Sequence, residues 1–150
     1  MADYILVVIP ADPNLELPET AEAVRIQLAA FAGTDDARVT DYGKLQFIDA
    51  GQNFESIGCP NCGHDFALPD WHAWMDTDWH GEDGFHLHRH ETPCCGTNLT
   101  LNDLIYDRPQ GFARWFISAR NMGRGPLTSD EVTALEKLAG QKLKAIAQRY

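Results

Sequence analysis

Residues 4 to 9 (Tyr-Ile-Leu-Val-Val-Ile) form an unbroken apolar run rich in β-branched residues, which predicts a buried strand. Pro10, Pro13 and Pro18 mark a loop after it. Ala21, Val24, Leu28 and Phe31 then recur at helical spacing and predict a helix from about Glu19 to Ala32. Glu19 and Glu22 suit the positive end of its dipole, and Gly33 is a natural terminator. Leu45 and Phe47 alternate within a second strand over 44–48, which Val39 extends backwards past Gly43. After a polar middle, Phe112 to Ala119 reads as a strongly apolar strand. Asn121 to Pro126 is a loop. Thr128 and Glu131 form a capping box ahead of Val132, Leu135 and Leu138. Gly140 interrupts that helix, and Leu143, Ile146 and Ala147 predict a last helical turn or two, with Lys142, Lys144 and Arg149 compensating its dipole. The order strand, helix, strand, insertion, strand, helix predicts one α+β domain over 1–150: a small antiparallel sheet with two or three helices on one face.

The insertion, at about 57–107, breaks the pattern. It holds all four cysteines, all six histidines and three of the four tryptophans, with one base (Arg89) against nine acids. With so few aliphatic residues, such a segment needs a staple other than a large core.

Two knuckle-like turns supply a candidate. Cys59-Pro60-Asn61-Cys62-Gly63 is a CPxCG turn, in which two thiolates converge on one ion and the glycine takes a positive φ. Thr92-Pro93-Cys94-Cys95-Gly96 resembles it, but its cysteines are adjacent. If Cys95 matches Cys62, Thr92 stands where Cys59 stands. Three readings follow. The leading one is a single structural Zn2+ on Cys59, Cys62, Cys94 and Cys95. The others are the same site with His90 in place of Cys94, and disulfides or free thiols. Disulfides are disfavoured because Met1-Ala2-Asp3 carries no basic region of an export signal.

Other chemistry is weaker. His80-x-Glu82 with Pro93-Cys94-Cys95 superficially matches a zinc deaminase signature, but the final C-x-x-C is missing and the genuine one lies upstream. His86, His88 and His90 would share one face of a strand, with His72, His80, Asp76 and Asp78 near in sequence. That allows a second metal or a hydrolytic site; a solvated strand face is the preferred reading. Trp71, Trp74 and Trp79 are expected to form the minicore of the insertion, with an aromatic binding anchor as the alternative. No G-x-S-x-G, phosphate-cradling glycine loop or H-E-x-x-H is present.

Charge adds a partner expectation. The net charge is −10, but residues 1–107 hold 19 acids and 4 bases while residues 108–150 hold 3 acids and 8 bases. Such an acidic excess exceeds what solubility requires, about 2 to 8 in magnitude. It fits a basic protein partner and makes free nucleic acid a poor one. The segment expected to make that contact comprises Trp71, Trp74, Asp76, Asp78, Trp79, Glu82 and Asp83. At 150 residues and 44% hydrophobic, the chain is ordinary globular material, and its longest apolar run of six residues falls far short of a spanning helix. A cytoplasmic protein of unknown oligomeric state is expected.

The CPxCG knuckle, the Trp-containing acidic spacer, Thr92-Pro93-Cys94-Cys95-Gly96, Leu101-Asn102-Asp103-Leu104-x-Tyr106 and Pro109-x-Gly111-Phe112-Ala113-Arg114 together resemble a group of small bacterial zinc-ribbon proteins. The resemblance runs from about residue 57 to the end. It implies that Cys94 and Cys95 both belong to the metal knuckle. The run His86-x-His88-x-His90 departs from the group's pattern. By size, charge and architecture the chain is also similar to immunity proteins. That similarity implies a non-enzymatic protein that neutralises a cognate basic toxin by steric occlusion. The alternatives are a nucleic-acid-associated zinc ribbon acting through the basic C-terminal third, and a metal-dependent enzyme using the histidines.

Overall fold

β1 (Tyr4–Pro10) supplies the central apolar strand, and α1 (Ala21–Ala32) follows the proline loop. The computed structural model describes residues 4–51 and 56–150; Met1 to Asp3, read above for a leader, lie outside them. β2 (Ala37–Ile48) runs through Gly43 as expected, with a bulge between Asp41 and Gln46. Gly43 lies at φ 67°, and its N–H donates to the Asp41 carboxylate across the bulge. The insertion then carries β3 (Ile57–Gly58), α2 (Leu68–Asp78), β4 (His90–Glu91), β5 (Asn98–Leu99) and β6 (Ile105–Tyr106). The chain returns through β7 (Gly111–Arg120), α3 (Ser129–Ala139) and β8 (Leu143–Arg149).

Four long strands form one antiparallel sheet in the order β2-β7-β1-β8. Without the insertion, the succession is βαββαβ, the split-βαβ or ferredoxin-like arrangement. The protein is therefore α+β, with a small mainly antiparallel sheet. Leu6, Val8, Trp115, Ile117, Ala119 and Leu143 point at Val24 and Leu28 of α1 and Leu135 of α3. Alternation along β7 puts Phe112 on the side away from Trp115. There, Phe112, Leu45 and Phe47 meet Ile57, Trp71, Phe85, Leu101 and Tyr106 of the insertion. The insertion thus packs on the sheet through its own small core, beside the strand pair from which it leaves and to which it returns.

α3 starts as the sequence predicts. Thr128 accepts from the Glu131 N–H while Glu131 accepts from the Thr128 N–H. Glu131 also pairs with Arg124, whose Nη1 donates to the Phe31 carbonyl at 3.1 Å and so ties the end of α1 to the start of α3.

Two expectations fail. Leu143, Ile146 and Ala147 lie on a strand and not on a final helical turn. β8 pairs with β1 over seven residues, from Leu143 opposite Pro10 to Arg149 opposite Tyr4. The ladder on an otherwise unpaired edge of β1 outweighs local helical spacing, and Gly140 at φ 71° has already ended α3. Secondly, α2 is a helix of the insertion that the sequence reading omitted.

Candidate metal centre

The two knuckles have the same backbone. In the first, the Gly63 N–H donates to the Cys59 carbonyl and the Cys59 N–H to the His64 carbonyl, both at 2.9 Å. In the second, the Gly96 N–H donates to the Thr92 carbonyl at 2.8 Å and the Thr92 N–H to the Thr97 carbonyl at 2.9 Å. Gly63 and Gly96 sit at φ 76° and 69°, a turn conformation that a side chain would strain. Cys95 therefore matches Cys62, Thr92 takes the buried place of Cys59, and Cys94 stands where Asn61 stands.

This offset still brings four sulfurs together. All lie within 4.8 Å of one another: Cys59 Sγ is 3.7 Å from Cys95 Sγ, Cys62 Sγ 3.4 Å from Cys94 Sγ, and Cys94 Sγ 3.9 Å from Cys95 Sγ. A tetrahedral ion with metal–sulfur bonds of about 2.3 Å has edges of about 3.8 Å. Cys59 is buried at the base; Cys62 and Cys95 are exposed and Cys94 half-buried. All four are free thiols. His90 is not in this cluster. Its ring instead lies 4.9 Å from that of Trp74.

Hydrogen-bond donors converge on the sulfurs. The Cys62 and Asn61 N–H groups lower the Cys59 thiol. The Asn61 side chain (3.4 Å), Thr92 Oγ1 (3.3 Å) and Thr97 Oγ1 (3.1 Å), with the Thr97 N–H, bring Cys95 down to about 5. The His64 N–H likewise lowers Cys62, but donation to Cys94, burial, and the nearness of Cys59 and Cys95 outweigh it and push that thiol up to about 12. Thiols this close share protons among themselves, and a cation is what lets all four ionise. Thr92, no ligand itself, anchors its knuckle: its hydroxyl accepts from the Thr97 N–H at 3.1 Å and meets the Cys95 sulfur.

Comparison with known proteins finds no matching family model, no matching curated protein and no matching solved structure. The reading of this centre rests on its own geometry. That geometry gathers four soft donors that can hold a metal ion, and no helix among the described residues is long and apolar enough to cross a membrane.

The expected partner surface divides. Trp71 (6% exposed) and Asp78 (2%) are buried and leave it. Trp71 packs edge-on to Phe47 at 5.6 Å, inside the insertion's core. The Asp78 carboxylate accepts the N–H groups of His86 (3.1 Å), Leu87 (2.8 Å) and His88 (2.8 Å). Helical spacing in α2 turns Trp71, Trp74, Met75 and Asp78 inward together. Trp74 is half-buried, while Asp76, Trp79, Glu82 and Asp83 are exposed. The predicted strand of alternating histidines is also absent. Residues 86–89 are irregular, and Leu87, bent to φ 55° between two bonds to Asp78, sends the chain off so that His90 parts from His86 and His88.

Proposed function

We propose that Cys59, Cys62, Cys94 and Cys95 hold one structural Zn2+ per chain, and that the protein works by binding a basic protein partner, in the manner of an immunity protein that covers a toxin domain. The observation that carries the metal is the convergence of four sulfurs within 4.8 Å of one another, three pairs of them at 3.4 to 3.9 Å, built by two matched knuckles whose N–H groups aim at sulfur. Four thiolates complete a tetrahedron and leave no open position for substrate, which suits a structural ion. An all-sulfur tetrahedron fits zinc or iron; a colourless protein with one zinc by native mass spectrometry supports zinc, and a visible charge-transfer band refutes it.

The partner reading rests on charge. Acids outnumber bases 19 to 4 over residues 1–107, and Asp76, Glu82 and Asp83 are exposed and lie in sequence within four residues of Trp79, itself 43% exposed. Charge steers encounter and an aromatic anchors it. The test uses the product encoded beside this chain as the probe. Association is expected to slow with salt, and Asp76→Asn, Glu82→Gln and Asp83→Asn together are expected to cut the on-rate about tenfold or more. An unchanged on-rate and salt dependence overturns the reading.

One observation favours a second reading. On the sheet face opposite α1 and α3, away from the insertion, Arg38, Tyr42, Phe116 and Arg120 surround an open depression of ≈ 500 Å³. Aromatic and cationic groups on an open sheet suit single-stranded nucleic acid. The overall charge of −10 opposes it. Salt-sensitive binding of a labelled oligonucleotide, lost in Phe116→Ala, would favour this reading over a protein partner.

A further inference from the structure

The geometry points to a second metal site, separate from the cysteines, in which His80, His86 and His88 bind a divalent ion of the zinc type and leave its fourth position to water or an anion. One ligand nitrogen from each of the three rings lies within 4.8 Å of the others. The rings of His80 and His86 are 3.6 Å apart, and that of His88 lies 5.2 and 5.3 Å from them.

The scaffold beneath them is densely hydrogen-bonded. A bridge between Trp79 and Phe85 and a bond from the His80 N–H to the Gly84 carbonyl (2.9 Å) close a tight turn that holds His80 opposite His86. The turn is seated on β2, where the Phe85 N–H donates to the Leu45 carbonyl at 3.0 Å. A Cβ on Gly84 would lie 2.3 Å from that same carbonyl oxygen, so only glycine permits the seating. The buried Asp78 carboxylate then fixes His86, Leu87 and His88 through three N–H bonds, with Leu87 held at a positive φ that residues other than glycine rarely adopt. A buried carboxylate and a strained leucine are costly ways to shape an exposed loop. Together they aim two histidines at a third.

The hydrogen bond made by the other nitrogen of His80 fits as well. His80 Nδ1 lies 2.8 Å from the Asp78 carbonyl, to which it can only donate, leaving Nε2 as the nitrogen with a free lone pair. Backbone orientation of a ligating imidazole in this way is what metal sites use. Imidazole nitrogens suit zinc and its neighbours over magnesium or calcium. In a tetrahedral site with bonds of about 2.0–2.1 Å, the nitrogens stand about 3.3 Å apart. His80 and His86 are parallel within 1°, so capture splays these exposed rings about their broad terminal torsions. Three neutral donors leave the ion its full charge and one open coordination position.

Tag-free protein already carrying one equivalent of Zn2+ is titrated with further Zn2+ and followed by calorimetry and native mass spectrometry. One more equivalent is expected. His80→Ala, His86→Ala and His88→Ala should each weaken it at least tenfold, while His72→Ala and His90→Ala leave it unchanged. Retention of the first equivalent shows that each variant is folded. The unaltered chain gives an independent readout: added Zn2+ should shift the ring nitrogen resonances of His80, His86 and His88 and spare those of His64, His72 and His90. No second equivalent, or one that survives the combined His86→Ala and His88→Ala change, overturns the site, as does a shift spread over all six rings.

Discussion

The sheet-and-helix frame and the insertion are held together in opposite ways. In the frame, one continuous apolar layer joins β1, β7, α1 and α3, with Trp115, Leu6, Leu28 and Leu135 all at 1% exposure or less. The insertion has a smaller core and relies on point joints. These are the four sulfurs, the Asp78 carboxylate under residues 86–88, and the buried Tyr106 hydroxyl donating to the Leu101 carbonyl at 2.7 Å. A frame stabilised by area loses stability gradually as contacts are trimmed. A segment held by a few joints should lose its structure locally when one of them is cut.

The sharpest way to break this comparison is to remove the proposed metal. Structural zinc contributes on the order of 10 kcal/mol or more to small modules. Chelation, or Cys62→Ser, is expected to abolish hydrogen-exchange protection across residues 57–107 while the amides of β1 and β7 stay protected. Loss of protection in both regions together would show that they fold as one unit.

Matched tryptophan deletions come next. Trp115→Ala should cost about 3–5 kcal/mol and shift the denaturant midpoint of the frame, because the cavity opens between sheet and helices. Trp71→Ala removes the same side chain from the insertion. Its effect should appear in exchange of residues 57–107 and leave the frame's midpoint nearly unmoved.

Asp78→Ala should cost about 1–3 kcal/mol, since three N–H donors lose their acceptor. The loss should be confined to the amides of His86, Leu87 and His88, read by exchange. A matching joint in the frame, Thr128→Ala, removes an N-cap and should cost about 1 kcal/mol, read as fraying of the first turn of α3.

The smallest effect concerns acid. Arg124 beside Glu131, together with the Thr128 N–H, holds the Glu131 carboxyl at about 2, below its ordinary 4.5. The fold favours the ionised form, so this contribution is complete above about pH 4.5 and disappears as pH falls through about 2. Protection factors at the start of α3, taken relative to the intrinsic exchange rate at each pH, should fall over that window, and Glu131→Gln should flatten the dependence.

The same contrast governs what the sequence revealed. The frame was legible because its signals are local and redundant: the apolar run of β1, the helical spacing of Val24 and Leu28, and the Thr128–Glu131 box. β8 was not, because Leu143, Ile146 and Ala147 satisfy helical spacing while the decisive partner, β1, lies more than a hundred residues away. The four cysteines could be read from the turns that carry them. α2 was missed although Trp71, Trp74, Met75 and Asp78 follow helical spacing after Pro69, a residue suited to a first turn; an aspartate completing an apolar stripe disguised it. The histidine cluster was half legible. Sequence alternation grouped His86 and His88 with His90, whereas the backbone reversal at Leu87 and the turn at Gly81 to Gly84 replace His90 with His80.

Ile48 and Gly111 stand directly opposite each other on adjacent strands. The whole excursion between them therefore departs and returns within about 5 Å, like a hairpin turn that has grown. Lengthening such a loop costs the frame little, because closure entropy rises only with the logarithm of its length. The strand pair is thus a socket. A two-residue turn could close it, and another chain with an antiparallel hairpin of the same register could receive the cysteine-bearing segment as a graft.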